Sequence, residues 1–268
     1  MTASLEGVSK VLLNLYHATG ADRFFAEPLI GIASAEDALF SRYKSIIGDF
    51  HWTPIEALQK ENPSAKASSV IVWILPVNEH ARKANRLEKE NPSHAWAEMR
   101  SFGELANEQM RLQLSKVLTA AGFASIAPHL QQKKLGIKFD QLGHASYWSE
   151  RHAAFAAGLG TFGLSAGLIT EAGIAVRIGS VVTEMAMPPS IRSYGDEPYA
   201  WCTMCMACKR RCPVAAVGNT PAERNKKRCN VHIDIEISEN RAERYGWIDF
   251  ELGCGLCQTK VPCENRRP

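Results

Sequence analysis

The sequence predicts an α/β (α+β) chain in two parts, a larger domain over residues 1–195 and a small cysteine-ligated domain over 196–268. Three observations carry this expectation. All 8 cysteines lie at or beyond position 202 of the 268 residues. A stretch rich in proline and turn formers, AMPPSIRSYGDEP (186–198), separates them from the rest of the chain. Upstream, a buried-strand pattern, a long helical pattern and a second strand pattern succeed one another, the order of an α/β layer.

Residues 6–18 place Val8, Val11, Leu12, Leu15 and Tyr16 at helical spacing. HWTPIEAL (51–58) is a helix start, with Thr53 as cap and Pro54 in the first turn, and has no assigned chemistry. SSVIVWILP (68–76) is a continuous, β-branched apolar run stopped by Pro76, the pattern of a buried strand. RKANRLEKENPSHAWAEMR (82–100) is charged and reads as a solvated loop–helix surface. Residues 97–121 form a long helix ended by Gly122, with Leu105, Leu112, Val117, Leu118 and Ala121 toward the core. FASIAPH (123–129) is a second strand. SERHAAFAAG (149–158) is a helix with Ser149 as N-cap. The run GLIT–EAG–IAVRIGSVV within 158–185 reads as a β-hairpin with Gly173 in the turn.

Composition narrows the class. An apolar fraction of 46% is enough for a globular core. No run of about 18 apolar residues is present, so no membrane span is expected. The N-terminal residues lack the basic start, apolar block and cleavage site of a secretory signal, which gives a cytoplasmic expectation. In that compartment clustered thiols are metal or redox ligands rather than disulfides. The net charge of +3 is uninformative, but Lys209, Arg210, Arg211, Arg224, Lys226, Lys227 and Arg228 stand against a single acid, Glu223. This stretch is either a solvated surface balancing anionic groups or a docking patch for an acidic electron donor or a nucleic acid.

Cys202, Cys205, Cys208 and Cys212 have the spacing C-x2-C-x2-C-x3-C-P. In that pattern three thiolates converge on one 4Fe–4S cube and the fourth ligates a second cube. The remaining Cys229, Cys254, Cys257 and Cys263 complete two sets of four. The assignment is Cys202, Cys205, Cys208 and Cys263 for one cluster, and Cys212, Cys229, Cys254 and Cys257 for the other. The alternative is structural zinc, which two C-x2-C pairs can also hold. Two close clusters form an electron path, and roughly 200 preceding residues are more than a carrier needs. Trp201, beside the first cysteine, is placed as a lid limiting solvent access to the first cluster.

The motifs CTMCMACKRRCP, RCNVHIDIEI and GWIDFELGCGLCQTKVPCEN look like the two-cluster module of epoxyqueuosine reductases and reductive dehalogenases. The upstream ERHAAFAAGLGTFGLSAGLITEAGIAVRIGSVVTEM resembles the segment those reductases place before it. The similarity runs over about residues 144–263. It implies a flavin-reductase-like or nitroreductase-like N-terminal domain holding cobalamin, a bacterial-ferredoxin-like two-cluster domain, and reductive elimination at cobalt on a small molecule or modified nucleoside. It also implies an external electron donor such as ferredoxin or flavodoxin. Where epoxyqueuosine reductase has an aspartate as general acid, this chain has His144, counting back without gaps from the glutamate matched to Glu150. His144 and Tyr147 are therefore the catalytic candidates. Glu150, His152, Gly158, Gly160 and Thr161 are the cofactor-binding candidates, the last three in the GLGTFG loop that lies beside the corrin in the family. That loop has a packing reading as well. The tRNA-modifying relatives commonly carry a further helical-repeat domain after the module, whereas this sequence has five residues after Cys263; tRNA is accordingly the weaker partner expectation. The competing reading is a two-cluster electron carrier serving a partner enzyme.

Overall fold

The computed structural model describes residues 4–136, 138–140, 143–237, 239, 241–246 and 252–268. At its centre four strands, β1 (Leu29–Ser34), β2 (Ser69–Pro76), β3 (Ser125–Ile126) and β4 (Val176–Thr183), lie in the order β1-β2-β4-β3. Every pairing is antiparallel, with Leu29 opposite Ile74, Pro76 opposite Val176 and Ser125 opposite Thr183. The chain is mixed α/β, as expected.

Strand β2 explains the arrangement. Its residues alternate between faces because successive side chains of a strand point opposite ways. Val70, Val72 and Ile74 meet Phe40, Tyr43, Trp52, Trp148 and Phe155 on one side. Ile71, Trp73 and Leu75 meet Val8, Leu12, Met110, Leu114 and Leu118 on the other. Both faces are covered, so the strand is apolar throughout rather than alternating. Helices α1 (Leu5–Ala18) and α2 (Glu104–Ala120) lie on the second face, and α3 (Glu150–Ala156) lies on the first. The short helix Pro54–Gln59 starts at a complete capping box between Thr53 and Glu56.

Several local expectations are corrected. The long helix is broken into His94–Glu98, a π-type turn over Met99–Gly103, and α2. The extra residue in such a turn rotates the helix His94–Glu98 relative to α2. The buried face of α2 is Asn107, Met110, Arg111, Leu114 and Leu118, while Leu105 and Val117 are 40% and 37% exposed. The second strand shrinks to Ser125–Ile126 because Pro128 opens a helix, Pro128–Leu135. Gly173 does sit in a tight turn at φ 88, bonded both ways to Thr170. The arms of the expected hairpin then part. Leu168–Ile169 pairs with Thr161–Phe162, and β4 pairs with β2. Between them the Ile174 and Ala175 amides donate to the carbonyls of Cys263 (2.7 Å) and Glu264 (3.1 Å). Ser149 stands at the N-cap of α3, but its hydroxyl engages His152 Nδ1 at 2.7 Å instead of a helix amide. Strand β1 has no counterpart among the sequence expectations; the 186–198 stretch lies along it, with Ser190 exchanging bonds of 2.8 and 2.9 Å with Ile32.

Residues 82–100 are a solvated surface only in part: Leu87 is 82% exposed, but Asn85 and Trp96 are 0% and 1% exposed. They carry the cysteine-bearing segment. Glu264, 3% exposed, accepts from Arg82 Nη1 at 3.2 Å, Arg86 Nε at 2.9 Å and the Lys260 amide at 2.7 Å. Arg211 donates to the carbonyls of Glu88 (2.7 Å) and Asn85 (3.1 Å). Asn85 Nδ2 donates to Thr259 Oγ1 at 3.2 Å, and Tyr245 donates to the Pro92 carbonyl at 2.8 Å.

The Glu264 clamp yields a stability prediction. Burial alone would raise its carboxyl, but hydrogen bonds from Arg86 and the Lys260 amide outweigh burial and hold it below the usual range. The stabilisation is complete above the unfolded value of about 4.3 and fades as pH falls through the lower folded value. Replacing Glu264→Gln is expected to lower stability by about 1–3 kcal/mol at pH 7. Unfolding curves of the two proteins should converge as pH falls through that lower folded value.

Candidate metal centres and the adjoining cavity

The fold gathers the cysteines into two groups. Cys202, Cys205, Cys208 and Cys263 line a small cleft together with Gly163, Ile169, Ile174 and Val261. Cys212, Cys229, Cys254 and Cys257 line a separate cavity of about 450 Å³. Ser165 and Ile174 line both, so a single wall separates the two. Cys205 is exposed and Cys254 buried, which makes the first group the outer and the second the inner.

The loops between cysteines adopt a recurring conformation. Met204, Met206, Ala215 and Lys260 have φ values of 50, 61, 50 and 58, and Gly255 between Cys254 and Cys257 has φ 65. Such left-handed residues cost energy unless their surroundings require them. Alternating with ordinary residues they turn successive amides to one side, a nest suited to anions, iron–sulfur groups included. Two sulfurs already accept hydrogen bonds: Cys212 from the Ala216 amide at 3.1 Å and Cys229 from Arg224 at 3.3 Å. Burial pushes the Cys254, Cys257 and Cys263 thiols up to about 12. Such thiols become thiolates only when a bound cation supplies the charge. Among the described residues, no three cysteine sulfurs come within 4.8 Å of one another.

The side of the inner cavity away from the cysteines is built on a buried ion-pair network. Arg111, 1% exposed, donates to Glu104 (2.8 Å), Glu150 (3.2 Å) and the Ile178 carbonyl (2.6 Å). Arg177 Nε holds the other Glu104 oxygen at 2.7 Å. Burial would raise Glu104, but Arg177 and Arg111 keep it well below the usual carboxylate range. Glu150 goes the other way: burial raises its carboxyl against the pull of Arg111. Glu150 is the one carboxylate lining the cavity among the described residues. His129, also on the lining, is held neutral, its value lowered to about 3 by burial and by Arg111. Glu104, Glu108 and His129 bring three donor atoms within 4.8 Å, but Lys133 pairs with Glu108 and Gln132 with His129, so this is part of the ion-pair network.

The remaining candidates fall elsewhere. Tyr147 stacks on Trp52 at 5.1 Å and meets Phe50 edge-on at 5.8 Å; it is not on the cavity lining. His144 lies on the strand Gly143–Ala145 opposite Phe139, and its imidazole is outside the described side chains. His152 sits among Tyr43 and Phe162, 4.6 and 4.8 Å away, and burial lowers it to about 3. In the GLGTFG loop the glycines allow close packing: a Cβ on Gly160 would lie 2.3 Å from the Ile169 carbonyl, and one on Gly158 2.7 Å from that of Ile191. Thr161 is fully buried and accepts from the Trp201 amide at 3.1 Å. Trp201 packs with Cys202, Cys208 and Cys263 around Ile169 and Ile174, under the Arg267 guanidinium at 4.8 Å.

Solved structures give the setting for this arrangement. The chain superposes on epoxyqueuosine reductase from Bacillus subtilis with a TM-score of 0.52 at 20% identity, over 95% of this chain and 65% of that one. An epoxyqueuosine reductase with an epoxyqueuosine-modified tRNA-Tyr stem loop gives 0.53 at 20% identity, over 97% and 66%. A catabolic reductive dehalogenase gives 0.52 at 12% identity, over 89% and 30%. The chain has the fold of the epoxyqueuosine reductases and reductive dehalogenases. It spans just under two thirds of the reductases' length. No family model matches it, and no curated protein does. Among the described residues, no helix is long and apolar enough to cross a membrane.

Sequence reasoning missed Trp96, Arg100, Arg111, Arg177 and Ser165, all on the inner cavity, and placed Arg224 only in a basic patch. A signal existed in HAWAEMRSFGELANEQMR. Trp96, Met99 and Arg100 share one helical face, and Arg111 interrupts an apolar stripe. Replacing Arg111→Met would leave Glu150 buried without its cation and Glu104 with Arg177 alone. It is expected to cost about 3–5 kcal/mol at pH 7. The cost should shrink as pH falls and Glu150, then Glu104, take up protons, which denaturant titrations at pH 7 and pH 5 would show.

Proposed function

We propose that the chain is an iron–sulfur reductase. Cys202, Cys205, Cys208 and Cys263 hold an outer 4Fe–4S cluster, Cys212, Cys229, Cys254 and Cys257 hold an inner one, and the cavity beside the inner set is where reduction takes place. The observation that carries this is the sorting of all the cysteines into two groups of four on either side of one wall. When bound, the clusters supply and relay single electrons. The exposed edge at Cys205 is the place for an external one-electron donor such as a ferredoxin or flavodoxin.

The chain's own residues do the rest. The left-handed loops turn amides toward the sulfurs, and Arg224 supplies positive charge beside Cys229. Glu150, whose carboxyl burial pushes up, lines the cavity and is the first proton-donor candidate. His144 leads by two residues into Ser146 on the cavity lining and is the second proton-donor candidate. A carrier that only passed electrons on would have no use for this cavity.

The resemblance implies cobalamin as the group that receives the electrons. The fit is partial: about 450 Å³ is within the range of about 300–1,000 Å³ that drug-sized ligands occupy. It has room for the reacting part of a corrinoid but not for the whole cofactor. The substrate is a small molecule or a modified nucleoside; tRNA is one candidate, since a similar structure holds a tRNA stem loop.

Iron counting by cysteine set tests the proposal. Anaerobically reconstituted protein is expected to hold about eight irons. Cys263→Ser should reduce only the outer cluster's share, and Cys212→Ser only the inner cluster's, although Cys212 adjoins the outer motif in sequence. A shared loss from either variant, or zinc in place of iron, would contradict the assignment.

A further inference from the structure

We propose that the Trp96 indole donates a hydrogen bond to a sulfur of the inner cluster and thereby sets that cluster's reduction potential. The inference rests on the reading above, that Cys212, Cys229, Cys254 and Cys257 hold a cluster. Three buried tryptophans can be compared. Trp73 Nε1 donates to Asn107 at 2.8 Å, and Trp148 Nε1 donates to Ser180 at 2.9 Å. Trp96, 1% exposed, is as deeply buried, yet its Nε1 meets no acceptor among the described residues. A buried donor left without a partner is destabilising. Its position explains why the fold keeps it.

Trp96 lines the inner cavity along with the four inner cysteines. Its N–H edge lies against Gly255, the residue after Cys254 and two before Cys257. A Cβ on Gly255 would fall 2.1 Å from Trp96 Cε2 and 2.3 Å from Nε1. Gly255 is thus required twice, by its φ of 65 and by the indole. The π-type turn Met99–Gly103 lies directly C-terminal to the helix that carries Trp96, a feature frequent at functional sites. The cavity it shares with the four inner cysteines leaves a sulfide of the bound cluster as its acceptor. Hydrogen bonds to sulfur are one of the means by which a protein tunes such clusters, since they favour the more negative, reduced form.

Trp96→Phe keeps a ring and removes the N–H. Redox titration followed by EPR is expected to show one cluster shifted to lower potential and the other unmoved, with about eight irons retained. A second measurement needs no variant. In wild-type protein labelled with 15N at the tryptophan indoles, pulsed EPR of the reduced inner cluster is expected to show a 15N hyperfine coupling. Full iron content with unmoved potentials and no 15N coupling would overturn this inference alone. Wild-type protein that takes up no iron would overturn it together with the reading it rests on.

Discussion

The arrangement of the cysteines depends on one buried contact, Glu264 held between Arg82 and Arg86. Cys263 precedes Glu264, and its carbonyl is fixed by the Ile174 amide. The clamp therefore returns the end of the chain to the loop at 202–208, some 60 residues earlier in sequence. The helix Glu79–Leu87 that supplies both arginines also receives Arg211 at the Asn85 carbonyl. One surface helix thus anchors both ends of the cysteine-bearing segment. Without it, Cys263 would have no reason to join the first three cysteines rather than its nearer neighbours Cys254 and Cys257.

Charge completes the arrangement. Two members of the basic stretch over 209–228 are internal to this design, while Arg210, Lys227 and Arg228 are exposed. Arg211 ties the segment to the helix, and Arg224 reaches Cys229. On the opposite side of the cavity, Arg111 and Arg177 hold Glu104 ionised while burial keeps Glu150 disposed to carry a proton. Two carboxylates bonded to the same guanidinium are thereby given opposite characters by their surroundings.

How far the fold and the site are legible in the sequence depends on the range of the interactions involved. Thr53 and Glu56 form a local capping box, and the β-branched run at 69–76 declares its burial on both faces, so both can be read directly. The grouping of the cysteines is expected from the C-x2-C-x2-C-x3-C-P spacing, whose last member ligates the neighbouring cluster. The antiparallel order of the sheet cannot be read, because β1, β2 and β4 are joined by pairings across about 40 and 110 residues that leave no local mark. The hairpin expected at Gly173 fails for the same reason: the partners of Ile174 and Ala175 lie about 90 residues away. Residues 82–100 mislead because a charged side chain looks solvated when its partner, here Glu264, is distant in sequence.

Two clusters held by these cysteine sets would face each other across the wall that Ser165 and Ile174 form. EPR of the fully reduced protein tests this arrangement most directly. Two paramagnetic clusters separated by a single layer of side chains should give a broadened spectrum with splittings from their magnetic interaction, absent when only one cluster is reduced. A fully reduced spectrum that is the plain sum of two isolated clusters, or of one cluster alone, would contradict the account.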